Sequence, residues 1–216
     1  MSQVEEISKN EELSDNIMMP DDEVSPDEIN YFQNMYTKID LQNLGLDWNT
    51  KGNRACVRSG KQPIQFVVRR AKLRFHEIEQ AIINGQRHER IIIKSDDIRF
   101  AKYIDTLLDI LKSKIPNFVS YDVRESGIGY RSIIAKLPLN NEGLVSVNVY
   151  DENHKLVNEA TEPELDLYDL EMKYENVQPR KVSLNIQIDC ISLYKGKYNI
   201  FMSIKDIYLK PSISRM

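Results

Sequence analysis

A cluster of positive side chains between residues 51 and 75 is the part of the sequence best suited to binding a ligand. This segment holds eight Lys and Arg and no Asp or Glu, although the whole chain has a formal net charge of -4. Such cations contact phosphate oxygens, and interleaved rings such as Phe66 and Phe75 offer faces on which bases stack. The pattern predicts sequence-tolerant binding of single-stranded nucleic acid. With Tyr130 added as an aromatic beside a predicted strand, the predicted binding residues are Lys51, Arg54, Arg58, Lys61, Phe66, Arg69, Arg70, Lys72, Arg74 and Tyr130.

The second part of this segment has the period of a half-buried strand. Basic and apolar residues alternate from Arg70 to Phe75, so Arg70, Lys72 and Arg74 are expected to share one face. The flexible loop that leads into this strand is expected to hold Lys51, Arg54, Arg58 and Lys61. An alternative is a solvated strand face whose charges pair with the acidic stretch 151–176, which contains nine acids and two lysines.

Residue types that commonly perform catalysis occur without the spacing that catalysis requires. The three histidines form no HExxH pattern, and the chain has no GxSxG, GxxxxGK[ST] or GxGxxG motif. Cys56 lies among basic residues but has no recognisable partner base. Asp96 and Asp97 fit the first turn of a helix better than a metal site. We therefore expect no enzyme activity, no catalytic residue, no metal and no cofactor.

Charge is distributed unevenly along the chain. Of its 33 acids and 29 Lys and Arg, ten acids and one base fall in residues 1–30, which gives that segment -9. The remaining 23 acids and 28 bases give the rest of the chain +5. Residues 1–24 lack an apolar period and are expected to be a disordered acidic tail. This tail could compete with nucleic acid, hold replication proteins or simply aid solubility.

The remaining chain, residues 25–216, is expected to form a single nucleic-acid-binding domain with few helices. "SPDE" at 25–28 predicts a helix to about residue 40. Ser95 is expected to cap a second helix from Asp96 to about Lys114, because its apolar residues recur every three or four positions. The other predicted elements of this half are a loop at 43–63, a strand from Ile64, a short helix near 76–84 and a strand over "RIIIK".

The second half of the chain is predicted to be mostly β. "GYRSIIAKLPL" and "LVSVNVYD" flank "NNEG" as a hairpin, and 151–176 forms an excursion with a helical turn near 165–174. "KVSLNIQIDC" alternates, with Val182 to Cys190 inward at even positions and polar residues outward. It joins "YNIFMSIKDIYLK" through "KGK" in a long C-terminal hairpin. The fold class is α+β, mainly antiparallel β: an OB-like barrel or strongly bent sheet with one or two helical insertions.

Residues 60–210, with the hairpin "KVSLNIQIDCISLYKGKYNIFMSIKDIYL", resemble the single-stranded-DNA-binding proteins of large DNA viruses and phages. The resemblance implies an OB-type barrel and a non-enzymatic protein that coats single strands in replication, recombination or repair. The acidic tail of phage proteins of this type is commonly C-terminal, whereas this chain ends "KPSISRM".

Two cysteines without metal-ligand spacing, and no apolar run long enough for a membrane helix, predict a cytoplasmic or nuclear protein without membrane contact. Two other classes stay open. The first is a viral interaction or structural protein whose basic face docks an acidic partner. The second, a nuclease or other metal-dependent enzyme, needs a carboxylate cluster that the sequence does not display. The sequence favours DNA over RNA as partner without deciding between them, and it does not define the oligomeric state.

Overall fold

The computed structural model describes residues 44–83, 86–126, 130–151, 153–176 and 181–210. The predicted acidic tail, the boundary of the nucleic-acid-binding domain at residue 25 and the predicted helix at 25–40 lie outside these residues. The first strands are β1 (Leu44–Trp48), β2 (Arg54–Ser59), β3 (Gln62–Pro63), β4 (Gln65–Ile83) and β5 (Gln86–Ser95), followed by helix α1 (Ile98–Lys114). The later elements are β6 (Phe118–Val119), β7 (Val123–Glu125), β8 (Arg131–Leu137), β9 (Asn148–Tyr150), β10 (Leu156–Asn158), α2 (Leu167–Asn176), β11 (Lys181–Tyr194) and β12 (Lys197–Lys210).

Five of these strands close into a barrel. Strand β4 pairs with β5, and β5 pairs with β8, both antiparallel. Strand β8 meets β12 in parallel at Lys136 and Ser203, and β12 returns through β11 to β4. Numbered along the chain, the barrel strands are therefore ordered 1-2-3-5-4, which is the connectivity of a five-stranded OB barrel. The predicted OB-like, mainly antiparallel β fold is confirmed.

A three-stranded flap, β1 with β2 and β3, extends the sheet beyond β11. Strand β2 pairs with β1, with β3 and with the C-terminal half of β11. The prediction of a loop over 43–63 is therefore wrong. Ala55 and Val57 are buried, whereas Arg54 and Cys56, which alternate with them, are exposed, so this stretch with its Gly and Pro residues contains a short amphipathic strand.

The ribbon formed by β4 and β5 continues past the barrel. Their pairing runs out to Ile83 and Gln86, with an irregularity between Arg74 and Glu79. The predicted short helix near 76–84 is wrong, because cross-strand hydrogen bonds with β5 hold this segment extended. The strand predicted over "RIIIK" is confirmed within β5.

Each of the two described helices lies between two barrel strands along the chain: α1 between β5 and β8, and α2 between β8 and β11. Helix α1 packs Phe100, Ile104 and Leu107 into the core. Its N-cap is Asp97, whose carboxylate accepts a hydrogen bond from the Arg99 amide at 2.9 Å, so the helix begins two residues later than predicted. Helix α2 extends the predicted helical turn and buries Leu170 and Tyr174.

The predicted C-terminal hairpin is confirmed, with β11 and β12 paired from Lys181–Lys210 to Tyr194–Lys197. Val182, Leu184, Ile186 and Ile188 are buried in the core, as the alternation predicts. The prediction is wrong for Cys190, because a register shift between Ile188 and Cys190 places Ile191 in the core and leaves the buried Cys190 on the opposite face. The opposite face is less exposed than predicted: Asn185 is also buried and donates to Asp206 at 2.8 Å and to Gln65 at 3.3 Å. Side-chain hydrogen bonds along this face therefore replace contact with solvent.

The hairpin predicted around "NNEG" is reduced to a single bridge between Leu139 and Val145. Asn140 closes the turn, since its carboxamide oxygen accepts from the Glu142 and Leu144 amides at 2.9 Å. Strand β9 pairs instead with β10 and, in parallel, with Asp206 to Tyr208 of β12.

Candidate nucleic-acid interface

The outer surface of β4, β5, β8 and β7 carries a group of cations. On these strands Leu73, Ile91, Ile93 and Ile133 are buried in the barrel core. Side chains alternate along a strand, so the residues between them point away from the core. We call this set the basic face, and its members are Lys72, Arg74, Arg90, Lys94, Arg124 and Lys136.

Three of these cations form one row across four strands. Lys72 lies directly opposite Lys94, Lys94 opposite Ser132, and Ser132 opposite Arg124. Like charges at directly opposed positions destabilise a sheet. Within the described ranges none of the three cations has a carboxylate within 4 Å. The row is thus a concentrated positive charge that an external anion would stabilise.

The neighbouring rows are partly neutralised. Arg74 forms an ion pair with Glu77, and Arg90 pairs with Glu79 at 3.7 Å and with Asp122. These acids are not in the stretch 151–176. The alternative that this stretch neutralises the basic strand therefore receives no support from these pairs.

Asp122 joins the basic face to the start of β12. Its carboxylate accepts from Arg90 and, at 3.4 Å, from the Asn199 carboxamide, while its carbonyl accepts from the Ile134 amide at 2.7 Å. Burial raises the pKa of Asp122 above its ordinary value, and this outweighs the lowering by the Arg90 guanidinium. The residue positions β7 and Tyr121 against the barrel.

Four aromatic side chains lie near the turn between β11 and β12, and we call them the aromatic tip. Tyr121 and Tyr194 are 44% and 49% exposed, and their rings meet edge to face with centroids 6.4 Å apart. The Trp48 ring meets Tyr198 at 5.2 Å, and the Tyr198 hydroxyl donates to the Gly52 carbonyl at 2.7 Å. These contacts fix the rings while leaving Tyr121, Tyr194 and Trp48 accessible.

A further cation accompanies the aromatic tip. The Lys195 ammonium lies 5.2 Å from the centroid of the Tyr194 ring, in the turn that joins the fourth and fifth barrel strands. Lys195 has a positive φ of 50°. Positive charge beside exposed rings is the arrangement that binds a phosphate and the base next to it.

The structure divides the predicted basic stretch into four groups. Lys72 and Arg74 belong to the basic face. Lys51 and Arg54 lie at the end of the flap nearest the aromatic tip, since Gly52 contacts Tyr198. The structure therefore brings together fewer of the predicted cations than a single continuous groove would require.

The third group lies at the far end of the flap. Arg58 pairs with Asp47 at 2.8 Å and donates to the Lys61 carbonyl at 3.1 Å. Lys61 is exposed in the turn between β2 and β3. Both residues were predicted in a flexible loop, and pairing of β2 with its neighbours places them on the strands and turn of the flap instead.

Arg69 and Arg70 occupy a β-bulge. Val182 pairs with Ala71 and Leu184 with Val68, so both arginines lie opposite Ser183. Arg70 has a φ of 52° and pairs with Asp96 at 3.5 Å. Without the bulge the strict alternation would direct Arg70 into the core with Val68; the extra residue lets the buried set resume at Ala71.

The prediction that Phe66 stacks on bases is wrong, because this ring is fully buried. Its exposed fraction is 0%, and it stacks on Phe100 of α1 with centroids 6.2 Å apart. Phe75 is likewise buried and packs against Tyr174 at 5.3 Å. Tyr130 is 38% exposed at the start of β8, and its stacking role stays a prediction.

Sequence reasoning missed Lys94, Arg124, Tyr121 and Trp48. The signal for Lys94 was available, since Ile91 and Ile93 predict an inward face that leaves Lys94 outward. Arg124 and Tyr121 lie on or beside a three-residue strand whose pairing with β8 has no local signature.

Among the described residues, no group of three or more His, Cys, Asp or Glu is placed to hold a metal ion. Neither helix of this part of the chain is long and apolar enough to cross a bilayer.

Comparison with known proteins finds similarity in structure only. No protein-family model and no curated protein matches the chain. The chain is similar to the single-stranded DNA-binding protein of bacteriophage Enc34 in a C-terminal truncation, with 12% identity and a TM-score of 0.46 over 80% of this chain and 97% of that one. It is similar to the same protein in complex with ssDNA, with 12% identity, a TM-score of 0.45 and coverage of 79% and 97%. A third structure of that protein gives 13% identity, a TM-score of 0.43 and coverage of 80% and 95%. The predicted resemblance to phage single-stranded-DNA-binding proteins is thus found among solved structures.

Proposed function

We propose that this chain binds single-stranded nucleic acid, DNA in the first instance, along the basic face and the aromatic tip. The observation that carries the proposal is the row of Lys72, Lys94 and Arg124, in which Lys72 directly opposes Lys94 and no carboxylate of the described residues neutralises the three cations. Phosphates of an extended strand would relieve this repulsion. The role follows as coating of single strands in replication, recombination or repair, by a protein that performs no chemistry itself.

The position of these groups in the barrel supports the proposal. OB barrels bind oligonucleotides on the face of their second and third strands and with the loops after the first and fourth strands. In this chain those strands are β5 and β8, which supply Arg90, Lys94 and Lys136. The loop after the fourth barrel strand carries Tyr194 and Lys195 at the aromatic tip.

Base stacking and phosphate contacts have separate places in this arrangement. Tyr121 connects the aromatic tip to the basic face, because its ring contacts Tyr194 and the next residue, Asp122, pairs with Arg90. A strand running from the tip across the sheet would stack bases at one end and place phosphates along the lysine row. Neither feature reads base identity, so we expect little sequence preference.

We propose a single nucleic-acid-binding domain over residues 25–216, acting in the cytoplasm or nucleus without a cofactor or membrane partner. Its predicted acidic segment, residues 1–24, would hold replication proteins or restrain binding. The resemblance of residues 60–210 to viral and phage proteins supports, as part of this proposal, a role in viral DNA metabolism.

The test is a salt series with labelled oligo-dT, oligo-rU and duplex DNA, measured by fluorescence anisotropy. If four phosphates are neutralised, log K should fall against log[salt] with a slope of about -3, from about 0.7 per contact on single strands. Lys94→Gln should reduce the slope by about 0.7. It should also leave stability unchanged or raise it by about 0.2 to 1 kcal/mol, because the repulsion with Lys72 disappears.

The matched control is Lys112→Gln on α1, which removes the same charge from an exposed lysine paired with Asp109 at 3.5 Å. This variant should retain the wild-type slope. An equal reduction of the salt slope in both variants would show that binding depends on the total charge of the protein and not on the row of Lys72, Lys94 and Arg124. Failure to bind all three oligonucleotides would contradict the proposal and leave an acidic protein as the partner of the basic face.

A further inference from the structure

Cys56 and Cys190 lie opposite each other on neighbouring antiparallel strands. Strand β2 pairs with β11 at Ala55–Ile191 and at Arg54–Ser192. Because antiparallel chains run in opposite directions, the residue after Ala55 faces the residue before Ile191. The two cysteines are 134 positions apart in sequence and adjacent across the sheet.

The hydrogen-bond pattern defines the kind of position they occupy. The Leu193 amide donates to the Asn53 carbonyl at 2.8 Å, which makes this a hydrogen-bonded pair. Such pairs alternate with non-hydrogen-bonded ones, so the cysteine pair, three residues further along, is of the non-hydrogen-bonded kind. There the Cα atoms are about 4.5 Å apart and side chains are closest. Disulfides span Cα separations of about 4.4 to 6.8 Å.

Both thiols project to the same side of the sheet. Ala55 and Ile191 are buried in the core at 1% and 0% exposure, so the residues next to them point outward. Cys56 is exposed on that side, whereas Cys190 is buried at 5%. A small oxidant can therefore reach Cys56 first, with Cys190 beneath it.

A cation adjoins the pair. Burial raises the pKa of the Cys190 thiol, and the nearby Arg54 guanidinium acts in the opposite direction. The Cys56 side chain is near enough to act on the same thiol. Arg54 therefore lies where it would stabilise a thiolate during exchange.

We propose that Cys56 and Cys190 form an intramolecular disulfide when the folded protein meets a small disulfide oxidant of the oxidised-glutathione type. The Cys56 thiolate attacks the oxidant, one glutathione leaves as a thiol, and a mixed disulfide forms. The Cys190 thiolate then attacks Cys56 sulfur and releases the second glutathione. Two protein thiols are oxidised, one oxidant disulfide is reduced to two thiols, and the flap becomes covalently joined to the fourth barrel strand.

The experiment exposes the full chain to oxidised glutathione, blocks remaining thiols with iodoacetamide and measures intact mass and linked peptides. The expected product is a monomer that has lost two hydrogens, with no alkylated cysteine and with a Cys56–Cys190 peptide that a reductant separates. Cys190→Ser should instead retain one glutathione on Cys56. Cys56→Ser should remain largely unmodified while folded, because Cys190 is buried.

Two outcomes would overturn the proposal. The first is wild-type protein that carries glutathione on Cys56 while Cys190 stays free, or that dimerises through Cys56. The second is an equal yield of the Cys56–Cys190 bridge in urea, since adjacency in the folded sheet would then contribute nothing. Because the readout is covalent, it is independent of nucleic-acid binding.

Discussion

Individual residues separate the electrostatic and stacking parts of the proposed interface. Tyr121→Ala should weaken binding of oligo-dT by about 1 to 3 kcal/mol, the range for loss of one base–aromatic contact. The salt slope should not change, because the tyrosine carries no charge. Lys94→Gln should do the reverse and reduce the slope. Anisotropy titrations at several salt concentrations distinguish the two effects.

The control for Tyr121 is Tyr168→Ala on α2, an exposed tyrosine at 66% that is outside the aromatic tip. This variant should bind as the wild type does. A loss of affinity in both variants, or in neither, would remove Tyr121 from the interface. The buried Phe66 shows that the sequence alone does not identify stacking residues. An aromatic residue on a strand has similar sequence neighbours whether its ring packs in the core or contacts a ligand.

Asp122 provides a pH-dependent test of the contact that positions Tyr121. Its pKa is raised on folding from 3.8, because burial disfavours the carboxylate more than Arg90 favours it. Its contribution to stability is therefore fully present below the unfolded pKa and is lost as pH rises through the folded pKa. The free energy of unfolding of the wild type, relative to that of Asp122→Asn, should therefore fall as pH rises from the unfolded to the folded pKa of Asp122.

Urea denaturation of both proteins at a series of pH values from about 3 to about 7 measures this difference. A wild-type advantage that instead grows with pH would mean that the ion pair with Arg90 prevails over burial. The asparagine also changes stability by an amount that does not depend on pH. The direction in which the stability difference changes with pH therefore shows whether burial or the ion pair with Arg90 dominates.

At the scale of elements, the C-terminal hairpin holds the barrel closed. Ile186 is fully buried on β11, so Ile186→Ala should lower the free energy of unfolding by about 2 to 5 kcal/mol. Gln187 on the other face is half-buried and accepts from Gln65 at 3.2 Å, so Gln187→Ala should cost about 0.5 to 1.5 kcal/mol. Chemical denaturation measures both. Equal losses would contradict the observed register.

The elements that the sequence predicts well are those whose signal is local. Helix α1 and the β11–β12 hairpin have long, regular periods, and each could be placed from its own residues. The flap could not, because β2 is stabilised by pairing with β11, more than 130 positions away along the chain. The same limit applies to the site: Lys72 and Arg74 were found by alternation, while Arg124 reaches the row of Lys72 only through the pairing of β7 with β8.

At the scale of the whole molecule, the separation of charge between the acidic segment and the rest of the chain suggests self-competition. Residues 1–30 carry -9 and the remainder +5, and the basic face contains cations without acidic partners among the described residues. A tethered polyanion acts at an effective concentration of about millimolar for short flexible linkers. It should therefore occupy part of the charge that nucleic acid would otherwise contact.

Deleting residues 1–24 should strengthen binding of oligo-dT at low salt and steepen its salt dependence, because more phosphates can then reach the basic face. The matched controls are a tail with its acids replaced by the corresponding amides, which should behave like the deletion, and a tail with its residues shuffled at constant charge, which should behave like the wild type. The gain should shrink as salt rises, since screening weakens the tail and the oligonucleotide alike. Unchanged or weaker binding after truncation would assign the segment to solubility or to partner proteins. A gain that only the deletion shows, and not the amide tail, would mean that bulk and not charge restrains the basic face.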